Sequence, residues 1–192
     1  MGRIVRELLT PAGMAAARAA LIEDFSWFTH GSALANFDGI RTHGLRLSNP
    51  FTRDQLTVVG GDPRQQPAAS VICLQPFPKA RFLPVPGPAC KLALNWHALP
   101  ERIGIDYSFG GALEMVRRLH RQHPDWSAER IFMMVLNEYE SFVAYDAIPA
   151  RALRVCPKAQ PDLAPEQWPE LNATQVAEVH VVPADLEQMS WL

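Results

Sequence analysis

Two short segments carry the residue types best suited to chemistry. The first is Trp27-Phe28-Thr29-His30, followed by Asn36-Phe37-Asp38-Gly39-Ile40-Arg41-Thr42-His43-Gly44-Leu45. A histidine at a strand end offers ring and backbone groups to a planar amide, and Asn36, near a helix start, offers donors and acceptors. The second is Thr174-Gln175-Val176-Ala177-Glu178-Val179-His180-Val181. Here Val176, Glu178, His180 and Val182 alternate with Ala177, Val179 and Val181, the pattern of a strand with one apolar face. Such a strand projects Glu178 from its polar side. A carboxylate so placed can stabilise a positive charge developing on a nearby carbon. It can also orient or deprotonate a nucleophile, as in glycosidases. Structural readings of the same residues stay open: a half-buried, satisfied His30, a surface Asn36 and a solvated strand carboxylate.

The elements that must position these residues alternate along the chain. Residues 15–22 are alanine-rich and predict a helix. Residues 25–29 predict a short aromatic strand. Residues 33–43 predict a helix with Phe37 and Ile40 on its buried face, ended by Gly44. Residues 70–74 predict a strand. Residues 111–122 predict a helix with Leu113, Val116 and Leu119 on one face. The apolar run 131–136 predicts a strand buried on both sides. Residues 141–145, 152–156 and 175–182 are further strand candidates. Prolines cluster between Pro76 and Pro88 and again from Pro157 to Pro169, so both stretches predict ordered loops. Strands without regular intervening helices point to an α+β fold.

The chain has 192 residues, 48% of them hydrophobic and 20% charged, which is enough for one globular domain spanning 1–192. A formal net charge of −2 supplies no global basic field, so a nucleic-acid surface would have to be local. Cys73, Cys90 and Cys156 are odd in number and lack CxxC spacing, which argues against a disulfide framework or structural zinc. No apolar run reaches membrane-spanning length and no signal peptide is evident, so a cytoplasmic protein without a membrane anchor is expected.

The first segment resembles the N-terminal motif of the DarT-type ADP-ribosyltransferases: aromatic-x-Thr-His, then Asn-Leu-x-x-Ile-x-x-x-Gly-Leu. Phe28 or Trp27, Thr29 and His30 match the first half. Asn36, Ile40, Gly44 and Leu45 match the second, with Phe37 in place of leucine and a longer gap between His30 and Asn36. The second segment, Ala177-Glu178-Val179-His180-Val181, is similar to the late strand that carries the family's catalytic glutamate. The resemblance covers the two ends of the chain. The family's central Pro-Met-Leu strand motif is absent, and residues 70–78 stand in its region. The resemblance implies an ADP-ribosyltransferase-like fold, with a split, mixed β-core and flanking helices. It implies NAD as co-substrate, with Thr29, His30, Asn36, Gly44 and Leu45 at its nicotinamide end and Glu178 as catalytic carboxylate. A catalytic arginine is implied between the motifs. Arg53 is the first candidate, then Arg46 and Arg81, to meet the diphosphate or the acceptor. The implied acceptor is a nucleic-acid base, DNA rather than RNA, in a toxin or phage-defence setting with an antitoxin partner. A protein or RNA acceptor, or a non-catalytic nucleotide- or partner-binding module, are the alternatives.

Other features are less directive. His120 and His123 have metal-pair spacing, but Arg117, Arg118 and Arg121 beside them repel a cation and no third ligand is evident, so no metal is expected. That basic helix face could meet phosphates. Trp96 and His97 could stack on a base. Glu138 and Glu140 are a fallback acid pair.

Overall fold

The computed structural model describes residues 3–47, 71–78, 87–107 and 111–182. Helices and strands are mixed, and every strand pairing is antiparallel, an α+β arrangement. The mixed β-core of the sequence reading therefore finds no parallel pair among the described residues. Contacts divide the chain into two compact units, one of Met1–Phe25, Leu47–Leu74 and Pro100–Asp146, the other of Ser26–Arg46, Gln75–Leu99 and Ala147–Leu192.

The first unit holds helices α1 (Arg3–Leu8), α2 (Pro11–Asp24), α4 (Ala112–Gln122) and α5 (Ala128–Tyr139). The expected helix at 15–22 thus starts earlier. Thr10 caps it, its side chain accepting from the Gly13 amide at 3.0 Å, and Pro11 follows at the first helical position. Helix α4 forms where expected, with Val116 and Leu119 buried, but Ala112 and Met115 complete its buried face and Leu113 is only half-buried. The run 131–136 is helical, not a strand. It lies inside α5, which buries Ala128, Ile131, Phe132, Val135 and Leu136, spaced at one, four, five, eight and nine. The apolar run is only the middle of the helix. Its flanks Ala128-Glu129 and Asn137-Glu138 extend it to helical length, and its Met and Leu residues favour helix. Strands β4 (Ile103–Ile105) and β5 (Phe142–Ala144) pair with each other, and β5 also pairs with residues 72–74 of β2 (Ile72–Pro76). Ile72, Leu74, Ile103, Ile105, Phe142 and Ala144 line one face of this ladder and are buried.

The second unit is built on β1 (Trp27–Ala33) and β3 (Ala89–Asn95), paired along their whole length from Trp27↔Asn95 to Ala33↔Ala89. Strand β3 was not expected. Its Lys91-Leu92-Ala93-Leu94 run favours helix, and pairing on both edges overrides that preference. Residues 75 and 76 of β2 pair with Thr29 and Phe28. The other edge of β3 carries β6 (Leu153–Val155) at Leu92–Leu94 and β7 (Val181–Val182) at Ala89 and Cys90. Phe28, Leu92, Leu94, Leu153 and Val155 are fully buried on one face. A 3₁₀ turn (Leu34–Asn36) then leads into α3 (Phe37–His43), whose Phe37 and Ile40 are buried as expected.

Candidate functional site

Gly44 ends α3 at φ 76°, a conformation that favours glycine. A Cβ there would sit 2.1 Å from the Ile148 carbonyl oxygen and 2.8 Å from the Ala150 nitrogen. Leu45 is buried and exchanges two backbone hydrogen bonds with Ile148, at 2.8 and 2.9 Å. Packing against residues 148–150 therefore accounts for both residues. Asn36 closes the 3₁₀ turn, half-buried, and its side chain makes no cap bond to α3. Arg46 is exposed. Arg53 and Arg81 lie outside the described residues.

Thr29 and His30 are consecutive on β1, so their side chains leave opposite faces of the ladder. His30 shares a face with Phe28 and its neighbour Leu92 and is half-buried. Thr29 faces the other way, beside Gln75 on β2 and Ala93 on β3. Its hydroxyl is buried and has no hydrogen-bond partner, and the same holds for Gln75 Nε2. Farther along this row Arg154 donates to the carbonyls of Glu166 and Trp168, both at 2.8 Å, and sits over Trp27 at 5.5 Å from its centroid. Ala93, Cys156 and Trp168 form a buried cluster, with Trp27 and Leu163 packed against it. Lys91 is half-buried, and burial holds its ammonium below the ordinary lysine range.

Glu178 does not lie on a strand. Val176–Glu178 is a 3₁₀ turn, and only Val181–Val182 is extended. The expected apolar face also dissolves: Val179 is buried, while Ala177 and Val181 are exposed. The cause is a reciprocal cap. The Gln175 side chain accepts from the Glu178 backbone, and the Glu178 carboxylate accepts from the Gln175 amide at 2.9 Å. Two such local bonds take the start of the period-2 pattern into a turn, and only Val181 and Val182 find a partner strand, β3. The turn is tied down at both ends: Lys158 N–H donates to the Glu178 carbonyl at 2.8 Å, and His180 N–H to the Cys156 carbonyl at 2.9 Å. Glu178 is exposed at the edge of a groove of about 700 Å³ lined by Pro157, Lys158, Ala159, Pro169, Ala173 and Thr174.

The ladder brings the two segments together. Cys90 pairs with Ser32 of β1 on one side and Val181 of β7 on the other. The end of the first segment's strand and the residues just after Glu178 are thus two strand spacings apart, roughly 10 Å. Gln75 and Lys158 were missed in the sequence. Neither belongs to a motif, and only the register of β2 and the loop after β6 bring them to these places.

The remaining candidates lie in the first unit. His120 is half-buried on α4, and the His123 ring stacks on Trp126 at 3.9 Å with Arg130 on Trp126 at 4.1 Å. Arg121 and Arg117 are engaged by Glu114, at 2.8 and 3.9 Å, which reduces the basic face. Glu138 is exposed, and Glu140 ends α5 at φ 53°. Sequence reasoning also missed a polar strand face here. Buried Asp106 accepts from Ser141 Oγ at 2.8 Å, and burial together with Asp106 pushes the Cys73 thiol well up. Among the described residues no group of three or more His, Cys, Asp or Glu is placed to hold a metal ion. No helix among them is long and apolar enough to cross a membrane. Trp96 and His97 are in the second unit and stack on each other at 3.6 Å.

Comparison with known proteins returns no matching family model, no matching curated protein and no matching solved structure.

Proposed function

We propose that this chain is an NAD-dependent ADP-ribosyltransferase that moves ADP-ribose to a nucleic-acid base, with single-stranded DNA as the favoured acceptor. One observation carries the reading: the strand that holds Thr29 and His30 and the β7 residues just after Glu178, far apart in sequence, flank the same strand β3, with Ser32 and Val181 roughly 10 Å apart. The reaction breaks the bond between nicotinamide and ribose and forms one between ribose C1 and the acceptor, whose proton must leave. Glu178, exposed beside an open groove, suits stabilising the cationic ribose and taking that proton. His30 and Asn36 serve the nicotinamide end while Thr29, buried on the opposite face of β1, supports the strand, and Lys158 adds a cation beside Glu178 for a phosphate or an anionic acceptor. Gly44 and Leu45 act by holding α3 in place, and Arg53 keeps its assignment to the diphosphate or the acceptor from the family resemblance. The setting proposed is a cytoplasmic toxin or phage-defence protein with an antitoxin partner.

A second reading rests on the reciprocal Gln175–Glu178 cap: Glu178 is a turn residue, and the domain binds a nucleotide or partner without turnover. One assay separates the two. Nicotinamide release and label transfer from NAD are measured with DNA, RNA and protein acceptors, for the wild type and Glu178→Gln. Transfer that is lost in the variant, with the unfolding midpoint little changed, supports the enzyme, and the labelled acceptor names the substrate. No turnover with any acceptor overturns it in favour of the binding module.

A further inference from the structure

Gln175, Val176, Ala177 and Glu178 are all exposed, while Thr174 before them and Val179 after them are 3% and 1% exposed. The turn thus stands between two buried anchors and presents its side chains to solvent. An exposed glutamate ordinarily samples several rotamers, and fixing one of them costs entropy. Glu178 is fixed in one. Its Oε2 accepts from the Gln175 amide at 2.9 Å, and the Gln175 side chain accepts from the Glu178 amide in return. The bond to the carboxylate is charge-assisted, and it occupies one oxygen only. Among the described residues Oε1 has no hydrogen-bond partner, and the carboxylate forms no ion pair, not even with Lys158 on the same groove. The donor itself is anchored. The Thr174 hydroxyl donates to the Glu170 carbonyl at 2.8 Å on one side, and Lys158 N–H to the Glu178 carbonyl at 2.8 Å on the other.

We infer that Gln175 is the positioning residue for the Glu178 carboxylate: its amide holds Oε2 and leaves Oε1 to take the proton of the acceptor. The inference rests on the proposed transfer. In that step the bond from ribose C1 to nicotinamide breaks and one from C1 to the acceptor forms. Nicotinamide leaves with the bonding pair as a neutral molecule, and the acceptor's proton passes to Oε1. Oε2 keeps its amide throughout, so the carboxylate is ordered before the reaction rather than drawn from many rotamers during it. A backbone amide between buried anchors suits this task better than a flexible side chain would.

The test is steady-state kinetics of label transfer from NAD to single-stranded DNA by the full chain, with nicotinamide release followed alongside. Gln175→Ala keeps the amide and loses the side-chain acceptor. Gln175→Pro loses both, and the φ of −91° at Gln175 and ψ of 139° at Thr174 lie near what proline and its predecessor adopt. The alanine variant is expected to lose about threefold in kcat, which Gln175→Asn restores in part. The proline variant is expected to lose about tenfold or more, with KM for NAD within about twofold in every variant. In a Glu178→Asp background, where the carboxyl is one methylene short of the amide, the alanine and proline variants should differ by less than about twofold. A proline-variant loss that persists undiminished in that background overturns the inference, since Gln175 then acts through the fold. If proline at 175 unfolds the chain, wild-type kcat in Gln175→Ala overturns it by itself. Wild-type turnover with equal kcat in the alanine and proline variants removes this assignment and spares the proposed transfer. Absence of turnover in the wild type removes both.

Discussion

The exit of α3 and the turn at Glu178 are both chain reversals tied down by backbone hydrogen bonds, but their candidate site residues are placed differently. At the first, Gly44 and Leu45 are buried against residues 148–150, and the backbone itself makes the contact. At the second, the backbone bonds to Lys158 and Cys156, while the Gln175 and Glu178 side chains are exposed and bond to their own turn. A turn locked by tertiary backbone contact leaves no room for change. Exposed side chains that bond only within their own turn are cheap to alter while the backbone bonds to Lys158 and Cys156 persist, so they can serve chemistry without the fold depending on them. The contrast predicts that stability tracks the first turn and activity the second.

The largest effect should come from Gly44→Ala, which combines a left-handed φ with a Cβ inside the Ile148 carbonyl. A loss of roughly 3–5 kcal/mol is expected from strain and overpacking together, read from urea midpoints. A loss under about 1 kcal/mol would mean the docking is soft and the contrast false. Next comes β3, which joins both regions. Burial pushes the Cys90 thiol up from 9.0 to about 11. Between these values the unfolded chain has lost its proton while the folded chain keeps it. Stability from Cys90 is therefore full below pH 9.0 and falls as pH rises toward about 11. The loss is at most about 2–3 kcal/mol. Denaturation of Cys90→Ala and the wild type between those pH values checks it: the variant should show the shallower decline.

Arg154→Met removes a donor from two carbonyls in the segment that leads to the Glu178 turn. A loss of about 1–2 kcal/mol is expected, and a wild-type midpoint would show that the segment stands without it. The smallest stability effect belongs to Glu178→Gln, under about 1 kcal/mol because the cap is exposed. That variant should abolish transfer. If instead it unfolds the chain as severely as Gly44→Ala, Glu178 is structural and the two turns are alike.

The elements that were legible in the sequence had local causes. Gly44 ended a helix because few other residues accept its φ, and Phe37 and Ile40 marked the buried side of that helix before any partner was known. Elements misread or missed had non-local causes. The apolar run inside α5 has the composition of a buried strand or a buried helix, and its flanks decide. Strand β3 has helix-favouring residues and is extended because β1, β6 and β7 pair with it. The alternation at 175–182 met no partner long enough to make it a strand.

By itself the sequence determined an α+β composition, the helix that ends at Gly44, the proline-rich loop from 157 to 169 and the residue types available for chemistry. These follow from φ preferences, side-chain periodicity and proline's missing donor, which act over a few residues. Only the tertiary structure decided that Thr29 and His30 face apart, that Gln75 stands beside Thr29 with its amide unsatisfied, and that Glu178 sits on a capped turn leading into β7, which lies two strands from β1. The physical reason is register. Which residue meets which across a ladder depends on hydrogen bonds between segments far apart in the chain, and moving any strand by one position would turn every side chain to the opposite face.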